Sequence, residues 1–180
     1  EQHDAELFAE QQAKSDADIF FIGGGGYTFP RYLEATLPDS RLVVAEIDPV
    51  VTEIAEEQLG LAPDTRIETA SMDARAYMAW YGEAKSFDII FGDAFNDYSV
   101  PFHLTTLEFD QLIAHMLRDD GLYLANIIDG RHGHFLRAFV HTLNQVFPYV
   151  QVIPNDRATW RTSVRSTFVI VGSKQPLDLS

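Results

Sequence analysis

The chain has 180 residues, of which 46% are hydrophobic and 22% are charged, and its formal net charge is −14 at pH 7. Such a chain can bury one sizeable core, and its acidic balance, without long basic patches, argues against a protein that grips nucleic acid. No cysteine is present, which excludes disulfides, thiolate metal sites and a cysteine nucleophile.

Residues 1–15 have the composition of a helical segment, because Ala5, Phe8 and Ala9 recur at spacings of three and four. The first residue is Glu1 rather than Met, so we expect that a parent protein continues upstream and can carry a membrane tether there. No apolar run within the chain approaches the length of a membrane span, and we expect no membrane contact from it. The expected location is cytoplasmic.

The first strand leads into a cluster of glycines. An apolar run of isoleucine and phenylalanine ends abruptly at Gly23, Gly24, Gly25 and Gly26. A run that is apolar on both faces is typical of a buried parallel strand, and the glycines after it let the backbone approach a ligand closely. This stretch predicts a nucleotide-type cofactor site, with a merely flexible turn as the alternative.

Strands and helices alternate along the rest of the chain. The predicted strands are short apolar runs over residues 16–22, 41–46, 65–69, 87–91, 122–128, 149–153 and 167–171. The predicted helices cover residues 29–36, 49–59, 72–80, 105–117 and 133–147. The alternation predicts an α/β fold with a mostly parallel sheet that is covered on both faces. Since the last two strands have no helical pattern between them, we expect an antiparallel excursion at one edge.

Local signals fix details of these elements. Thr28 is predicted to cap the first helix, and Asp48, with a proline after it, is predicted to cap the second. Residues 119–121 have the composition of a turn. In the helix over residues 105–117, we expect one apolar face made of Leu107, Leu112, Ile113 and Met116.

Acidic side chains follow several strands of the predicted sheet. In an open parallel sheet the ligand lies beyond the carboxyl ends of the strands, where Glu46, Asp73 and Asp93 are found. Glu46 lies twenty residues after Gly26, the spacing at which a carboxylate reaches ribose hydroxyls, although a solvated strand end gives the same pattern. Asp48 and Asp73 can be helix caps instead of ligand groups.

Asp93 follows a buried strand and precedes a loop that contains Phe95, Tyr98 and Phe102. A carboxylate near aromatic walls can accept a proton or hold an ammonium group, so Asp93 is the candidate catalytic residue. The alternative is an Asx-turn that leaves the strand. The sequence has no Gly-x-Ser-x-Gly elbow and no Gly-Lys-Ser/Thr phosphate loop, and we expect no metal site.

The order of these motifs resembles the spermidine synthase family of aminopropyltransferases. The resemblance extends over about residues 18–173 and depends on Ile22-Gly23-Gly24-Gly25, Arg31, Glu46-Ile47-Asp48-Pro49, Met72-Asp73-Ala74-Arg75, Phe87-Asp88-Ile89-Ile90, Asp93 and Asp120-Gly121-Leu122. The segment over residues 23–32 and the loop over residues 93–101 are similar to those of bacterial spermidine synthase-like domains that are often fused to membrane helices. The resemblance implies a Rossmann-like, three-layer fold of the S-adenosylmethionine-dependent methyltransferase type, formed by a single domain over residues 16–180.

The resemblance also implies roles for individual residues. Decarboxylated S-adenosylmethionine or S-adenosylmethionine, as co-substrate and without a metal, would be bound by Gly23, Gly24, Gly25, Gly26, Glu46, Ile47, Asp48, Asp73, Ala74 and Asp93. Glu46 would hold the ribose, and Asp73 with Ala74 would hold the adenine. Asp93 would orient or deprotonate the attacking amine, which Asp97 and Tyr98 would contact.

Three functions follow as hypotheses. The first is transfer of an aminopropyl group to a polyamine, a small-molecule amine. The second is methyl transfer, because Gly26 stands where the family usually carries an acid, and that acid would repel the carboxylate of S-adenosylmethionine. Asn96 stands where the family usually carries a second acid, with Asp97 adjacent to it. The third is a non-catalytic domain that binds a nucleoside or a polyamine. We expect no nucleic-acid partner, and a homodimer is one expected assembly.

Overall fold

The computed structural model describes residues 14–94, 100–155 and 165–177. The helical segment predicted over residues 1–15 lies mainly outside this range, and the predicted substrate contacts Asp97 and Tyr98 lie outside it entirely. The division of the chain into that segment and one domain over residues 16–180 stays a prediction.

One sheet contains the seven strands of the described residues: β1 (Asp18–Ile22), β2 (Arg41–Glu46), β3 (Glu68–Ser71), β4 (Phe87–Gly92), β5 (Leu117–Gly130), β6 (Tyr149–Pro154) and β7 (Arg165–Ser173). Their order across the sheet is β3-β2-β1-β4-β5-β7-β6. The pairs from β3 to β5 are parallel, whereas β7 runs antiparallel to both β5 and β6. The predicted fold class, a mostly parallel sheet with an antiparallel excursion at one edge, is confirmed.

The α-helices of the described residues are α1 (Thr28–Thr36), α2 (Pro49–Gln58), α3 (Ala74–Tyr81), α4 (Leu107–Met116) and α5 (His134–Leu143). Helices α3, α4 and α5 pack on one face of the sheet, and α1 and α2 pack on the other. Adjacent residues of β1 serve both cores, since Phe20 packs toward α3 and Phe21 toward α1. This two-sided burial is why the central strands are continuous apolar runs. None of these helices combines the length and the hydropathy that crossing a bilayer needs.

Strand β3 begins later than the sequence pattern indicated. A strand was predicted over residues 65–69, but the parallel pairing with β2 starts at Glu68. Thr65 is held in the preceding turn, where its hydroxyl donates to the carboxylate of Glu34 at 2.9 Å. The amide of Arg66 donates to the same carboxylate at 2.5 Å, so a side chain on α1 fixes the turn and delays the strand.

Tyr27 is the N-cap of α1, and the prediction that Thr28 caps this helix is wrong. Tyr27 adopts a left-handed backbone conformation with a φ of 54°, and its side chain makes no capping hydrogen bond. Its ring is buried, and its hydroxyl lies 2.9 Å from the hydroxyl of Thr52. Core packing therefore decides this cap. Asp48 caps α2 as predicted, because its carboxylate accepts a hydrogen bond from the amide of Val50 at 3.0 Å.

Residues 119–121, predicted to form a turn, lie inside the long strand β5. The pairing register between β4 and β5 shifts after the first pair, so this segment forms an irregularity within the strand. It exposes Asp119 and Asp120, which form ion pairs with Lys85 at 2.6 Å and with Lys14 at 2.9 Å. Lysines from two other segments thus pair with the acids that this irregularity exposes.

The buried face of α4 also differs from the predicted one. The residues that point into the core are Phe109, Asp110, Ile113 and Met116. Leu107 and Leu112 are only partly buried, because five residues of a helix correspond to a rotation of about 140°, which places these two leucines on different sides. Phe109 and Asp110 therefore face the core in place of the two predicted leucines, and one of these residues is an acid.

Paired charges close the amino ends of the parallel strands. Arg118 of β5 donates hydrogen bonds to the carboxylates of Asp18 and Asp88, which lie at the beginnings of β1 and β4. Lys14 lies 3.4 Å from the carboxylate of Asp88 and also pairs with Asp120. The acids at this edge of the sheet are therefore neutralised by cationic side chains.

Candidate active site

A cleft of about 540 Å³ lies beyond the carboxyl ends of β1 to β4. An open parallel sheet presents its ligand at this edge, and the volume is that of a small-molecule site. The described residues that line it are Ile22, Gly23, Gly25, Ala45, Glu46, Ile47, Asp48, Val51, Asp73, Ala74, Asp93, Ala94, Pro101, His103 and Leu104.

The glycine cluster forms the turn between β1 and α1. Gly23 has a φ of 94°, and a side chain there would press on the backbone after β4 at 3.1 Å. Gly24 lies against the ring of Tyr27, which an added Cβ would approach to 2.5 Å. Gly25 faces open space at the cleft. An added Cβ at Gly26 would meet nothing closer than 3.4 Å, so packing does not require the fourth glycine.

Glu46, at the end of β2, holds this glycine turn. Its Oε2 accepts hydrogen bonds from the amide of Gly24 at 2.8 Å and from the amide of Gly25 at 3.4 Å. Its Oε1 accepts one from the amide of Asp48 at 3.0 Å. Glu46 is only 8% exposed, and charge-assisted hydrogen bonds of this kind offset the free-energy cost of removing its carboxylate from water. Glu46 is therefore a fixed wall of the cleft and not a solvated strand end.

Asp73, at the start of α3, connects two loops of the cleft. Its Oδ1 accepts a hydrogen bond from the amide of Ala76 at 2.9 Å, so it caps the helix. Its Oδ2 lies 2.7 Å from Nε2 of His103. The guanidinium of Arg75 donates to the carbonyl oxygen of His103 at 2.7 Å and to the hydroxyl of Thr106 at 2.9 Å. One carboxylate thus serves as a helix cap and as part of the cleft wall.

Asp93 follows β4 and is tied to the strands on either side. Nδ2 of Asn126 on β5 donates a hydrogen bond to its Oδ1 at 2.8 Å. The backbone amide of Asp93 donates to the carbonyl oxygen of Ile22 at the end of β1, at 3.1 Å. Because a carboxylate only accepts hydrogen bonds, the first contact also fixes which way the amide of Asn126 points. The carboxyl group is therefore held at the junction of three strands.

The cleft is strongly acidic. Glu46, Asp48, Asp73 and Asp93 place four carboxyl groups on its walls, and His103 is the single basic side chain among its described lining residues. The described residues contain no group of three or more histidines and acids that is arranged to hold a metal ion. A cleft with this charge balance favours a cationic ligand.

Most of the predicted site residues share this cleft, namely Gly23, Gly25, Glu46, Ile47, Asp48, Asp73, Ala74 and Asp93. Gly24 and Gly26 belong to the adjoining turn without lining the cleft, and Asp97 and Tyr98 lie outside the described residues. The lining residues that the sequence-based site did not include are Ile22, Ala45, Val51, Ala94, Pro101, His103 and Leu104. A signal for the last three was present, because they end the loop that Asp93 begins.

A further acid, Asp110, is enclosed in the core between α4 and the sheet. It is fully buried, and neither carboxyl oxygen has a hydrogen-bond partner among the described residues. Loss of hydration raises the pKa of Asp110 to about 7. Burial also raises the pKa of Tyr123 on β5, and the charge of Asp110 adds to that rise. Since an acid within a helix is normally exposed, the burial of Asp110 could not be predicted from the sequence.

Comparisons with known proteins support the family resemblance. No family model matches the chain. The chain is 39% identical over 111 residues to the polyamine aminopropyltransferase of Vibrio vulnificus. This alignment covers 60% of the chain and 36% of the Vibrio protein. The crystal structure of a probable spermidine synthase from Corynebacterium glutamicum superimposes with a TM-score of 0.84 and 25% identity, covering 97% of this chain and 62% of that one.

A second class of protein shares the fold. The structure of human methyltransferase-like protein 13 in complex with SAH superimposes with a TM-score of 0.82 and 21% identity, covering 99% of this chain and 86% of that one. The resemblance to the spermidine synthase family and the methyltransferase-type Rossmann fold are therefore confirmed. The chain spans between 32% and 58% of the length of the curated aminopropyltransferases that it matches.

Proposed function

We propose that this domain transfers an aminopropyl group from decarboxylated S-adenosylmethionine to a small-molecule amine. The observation that carries the proposal is the charge of the cleft, which has four carboxyl groups and no lysine or arginine among its described lining residues. Both proposed substrates are cations, and the decarboxylated donor lacks the carboxylate that such walls would repel. The similarity to a polyamine aminopropyltransferase supports the same reaction.

The nucleoside part of the donor would lie between β1, β2 and α3. Glu46 already accepts three backbone hydrogen bonds, and the acceptor position that remains on its carboxylate would take a ribose hydroxyl. The base would cover Ile47, an apolar side chain that is 65% exposed at the cleft, and would contact Ala74. Asp73 would accept a hydrogen bond from the exocyclic amino group of the base.

Asp93 would act on the amine. In the proposed reaction, the lone pair of the amine nitrogen attacks the carbon next to the sulfonium. The carbon–sulfur bond breaks, and its electron pair stays on sulfur, which leaves as a neutral thioether. The nitrogen loses its proton to the carboxylate of Asp93, directly or through a water molecule, and then to solvent. Holding the amine close and unprotonated would supply most of the rate enhancement.

Methyl transfer from S-adenosylmethionine is the second candidate. The shared fold of the methyltransferase-like protein supports it, as does Gly26, because an acid at this position would repel the donor carboxylate. That carboxylate would need a cationic partner, and the described lining residues offer only His103. The cleft charge therefore favours the decarboxylated donor. A domain that binds a nucleoside or polyamine without catalysis is the third candidate.

Titration calorimetry distinguishes these functions. We expect the decarboxylated donor to bind at least about tenfold more tightly than S-adenosylmethionine, because the cleft repels the carboxylate of the latter. Incubation of the preferred donor with polyamines, followed by mass spectrometry, then detects the aminopropylated product and methylthioadenosine. Preference for S-adenosylmethionine would support methyl transfer instead, and binding without turnover would support the non-catalytic domain. If no nucleoside binds, the assignment of the cleft is wrong.

Replacement of Glu46 by alanine is expected to weaken binding of methylthioadenosine about 30-fold, because a charge-assisted hydrogen bond to the ribose and the anchor of the glycine turn are lost together. The amide of Gly24 loses its acceptor, so its hydrogen exchange should accelerate in the free variant. Calorimetry and NMR measure the two effects. Glu57→Ala, the same change at an exposed position of α2, serves as control. Unchanged affinity and exchange in Glu46→Ala would contradict this role.

A further inference from the structure

His103 is bound through its side chain and its backbone to the beginning of α3. Its Nε2 lies 2.7 Å from Oδ2 of Asp73, and its carbonyl oxygen accepts a hydrogen bond from Arg75 at 2.7 Å. The side chains of Asp73 and His103 are 28% and 35% exposed, and both residues line the cleft. The pair is therefore accessible to a molecule bound there.

This pair fixes the orientation of the Asp73 carboxylate. Oδ1 accepts the amide of Ala76 at 2.9 Å while Oδ2 faces the imidazole of His103, so any rotation of the carboxylate breaks one of the two contacts. The neutral imidazole with its proton on Nε2 and the charged imidazolium both donate to Oδ2. With a proton on Nε2, the imidazole therefore holds the Asp73 carboxylate in this orientation.

We propose that His103 is a positioning residue that makes the base subsite selective for 6-aminopurines. The inference rests on the proposed function, in which Asp73 meets the edge of a nucleoside base. A carboxylate accepts hydrogen bonds and never donates them, so it attracts a 6-amino group and repels a 6-oxo oxygen. This discrimination depends on the orientation of the Asp73 carboxylate. A rotated carboxylate no longer faces the 6-position of the purine, and a hydrated one contacts the base through water.

The side chain of His103 can be changed without releasing the segment that carries it. Arg75 binds the backbone carbonyl oxygen of His103 and the hydroxyl of Thr106, and neither contact involves the imidazole. The neighbouring Leu104 is buried in the core and anchors the same segment. Removal of the imidazole therefore frees Oδ2 of Asp73 while the cleft wall keeps its place.

The test compares methylthioadenosine with methylthioinosine, which carries a 6-oxo group in place of the 6-amino group. Calorimetry at neutral pH should show that the wild-type domain prefers methylthioadenosine about 30-fold, since one ligand satisfies the carboxylate and the other opposes it. His103→Ala should reduce this preference to about threefold. His103→Gln, whose amide can donate to Asp73, should retain a preference of at least about tenfold.

His141→Ala, an identical change at an exposed position of α5, is the matched control and should leave the preference unchanged. If the alanine variant does not fold, His103→Leu replaces it, because leucine keeps the bulk and cannot donate a hydrogen bond. A wild-type domain that binds no methylthioadenosine would overturn the proposed function and this inference with it. A wild-type domain that binds both ligands equally, or a His103→Ala variant with full preference, would overturn this inference alone.

Discussion

Replacement of Asp93 by asparagine is expected to lower kcat for aminopropyl transfer about 10³-fold, because the attacking amine loses its proton acceptor. The substitution keeps the shape of the side chain, and its amide oxygen can still accept the hydrogen bond from Asn126 that the carboxylate accepts at 2.8 Å. Steady-state kinetics with saturating decarboxylated S-adenosylmethionine and a polyamine measure the loss. The affinity for methylthioadenosine, measured by calorimetry, should change less than about threefold, because the product has no reacting amine.

Asp39→Asn provides the control for this prediction. It makes the same chemical change in an exposed turn, so it should leave both kcat and nucleoside affinity at the wild-type values. A variant Asp93→Asn that retains the wild-type kcat would remove this residue from the chemistry. Loss of methylthioadenosine binding together with activity would point to a role in holding the donor instead.

Replacement of Asp110 by asparagine is expected to stabilise the protein at alkaline pH. The pKa of Asp110 is raised from 3.8 to about 7 in the fold, so the native state binds a proton that the unfolded chain has released. The free energy of unfolding of the wild type therefore falls as the pH rises from 3.8 to about 7, and it loses nothing further from this group above that range. The full effect of this group is roughly 4 kcal/mol.

Urea denaturation at pH 4 and at pH 8 measures this effect as a difference of differences. Asp110→Asn should gain roughly 2 to 4 kcal/mol over the wild type at pH 8 and much less at pH 4, because only the ionised carboxylate is destabilised by burial. Glu108→Gln, on the same helix but exposed, should show no such gain. An equal difference between Asp110→Asn and the wild type at both pH values would show that the carboxyl does not titrate in this range.

The sequence could predict the fold where burial is symmetrical. Strands β1, β2 and β4 are covered on both faces, so successive residues are buried and their sequences are continuous apolar runs. Strand β3 has no such run, since its residues are mostly exposed. Its first residue is set by hydrogen bonds to Glu34 of α1, which the local sequence does not show. The cap of α1 depends in the same way on the buried ring of Tyr27 and not on local propensity.

The candidate site was predictable where one topological rule applies. The carboxyl ends of parallel strands meet at one edge, so the glycine turn, Glu46, Asp73 and Asp93 could be placed together without a structure. The contact of His103 with Asp73 could not be predicted, because it joins positions 30 residues apart through the path of a loop. The rule also brings Asn126 of the neighbouring strand β5 to this edge, but it does not predict the hydrogen bond that Asn126 donates to Asp93 across 33 residues.

The acids at the amino ends of the parallel strands are paired with cationic side chains, and those at the carboxyl ends lie in the cleft. This asymmetry affects how a ligand approaches the protein. Arg118 and Lys14 neutralise the carboxylates at the amino ends of the strands, while the described lining residues of the cleft at the carboxyl ends include four acids and a single histidine. The net charge of the chain is −14. In the proposed reaction, the negative charge of the cleft would attract the cationic substrates before contact. At physiological salt this attraction would extend about 8 Å, so the rate of encounter would depend on ionic strength.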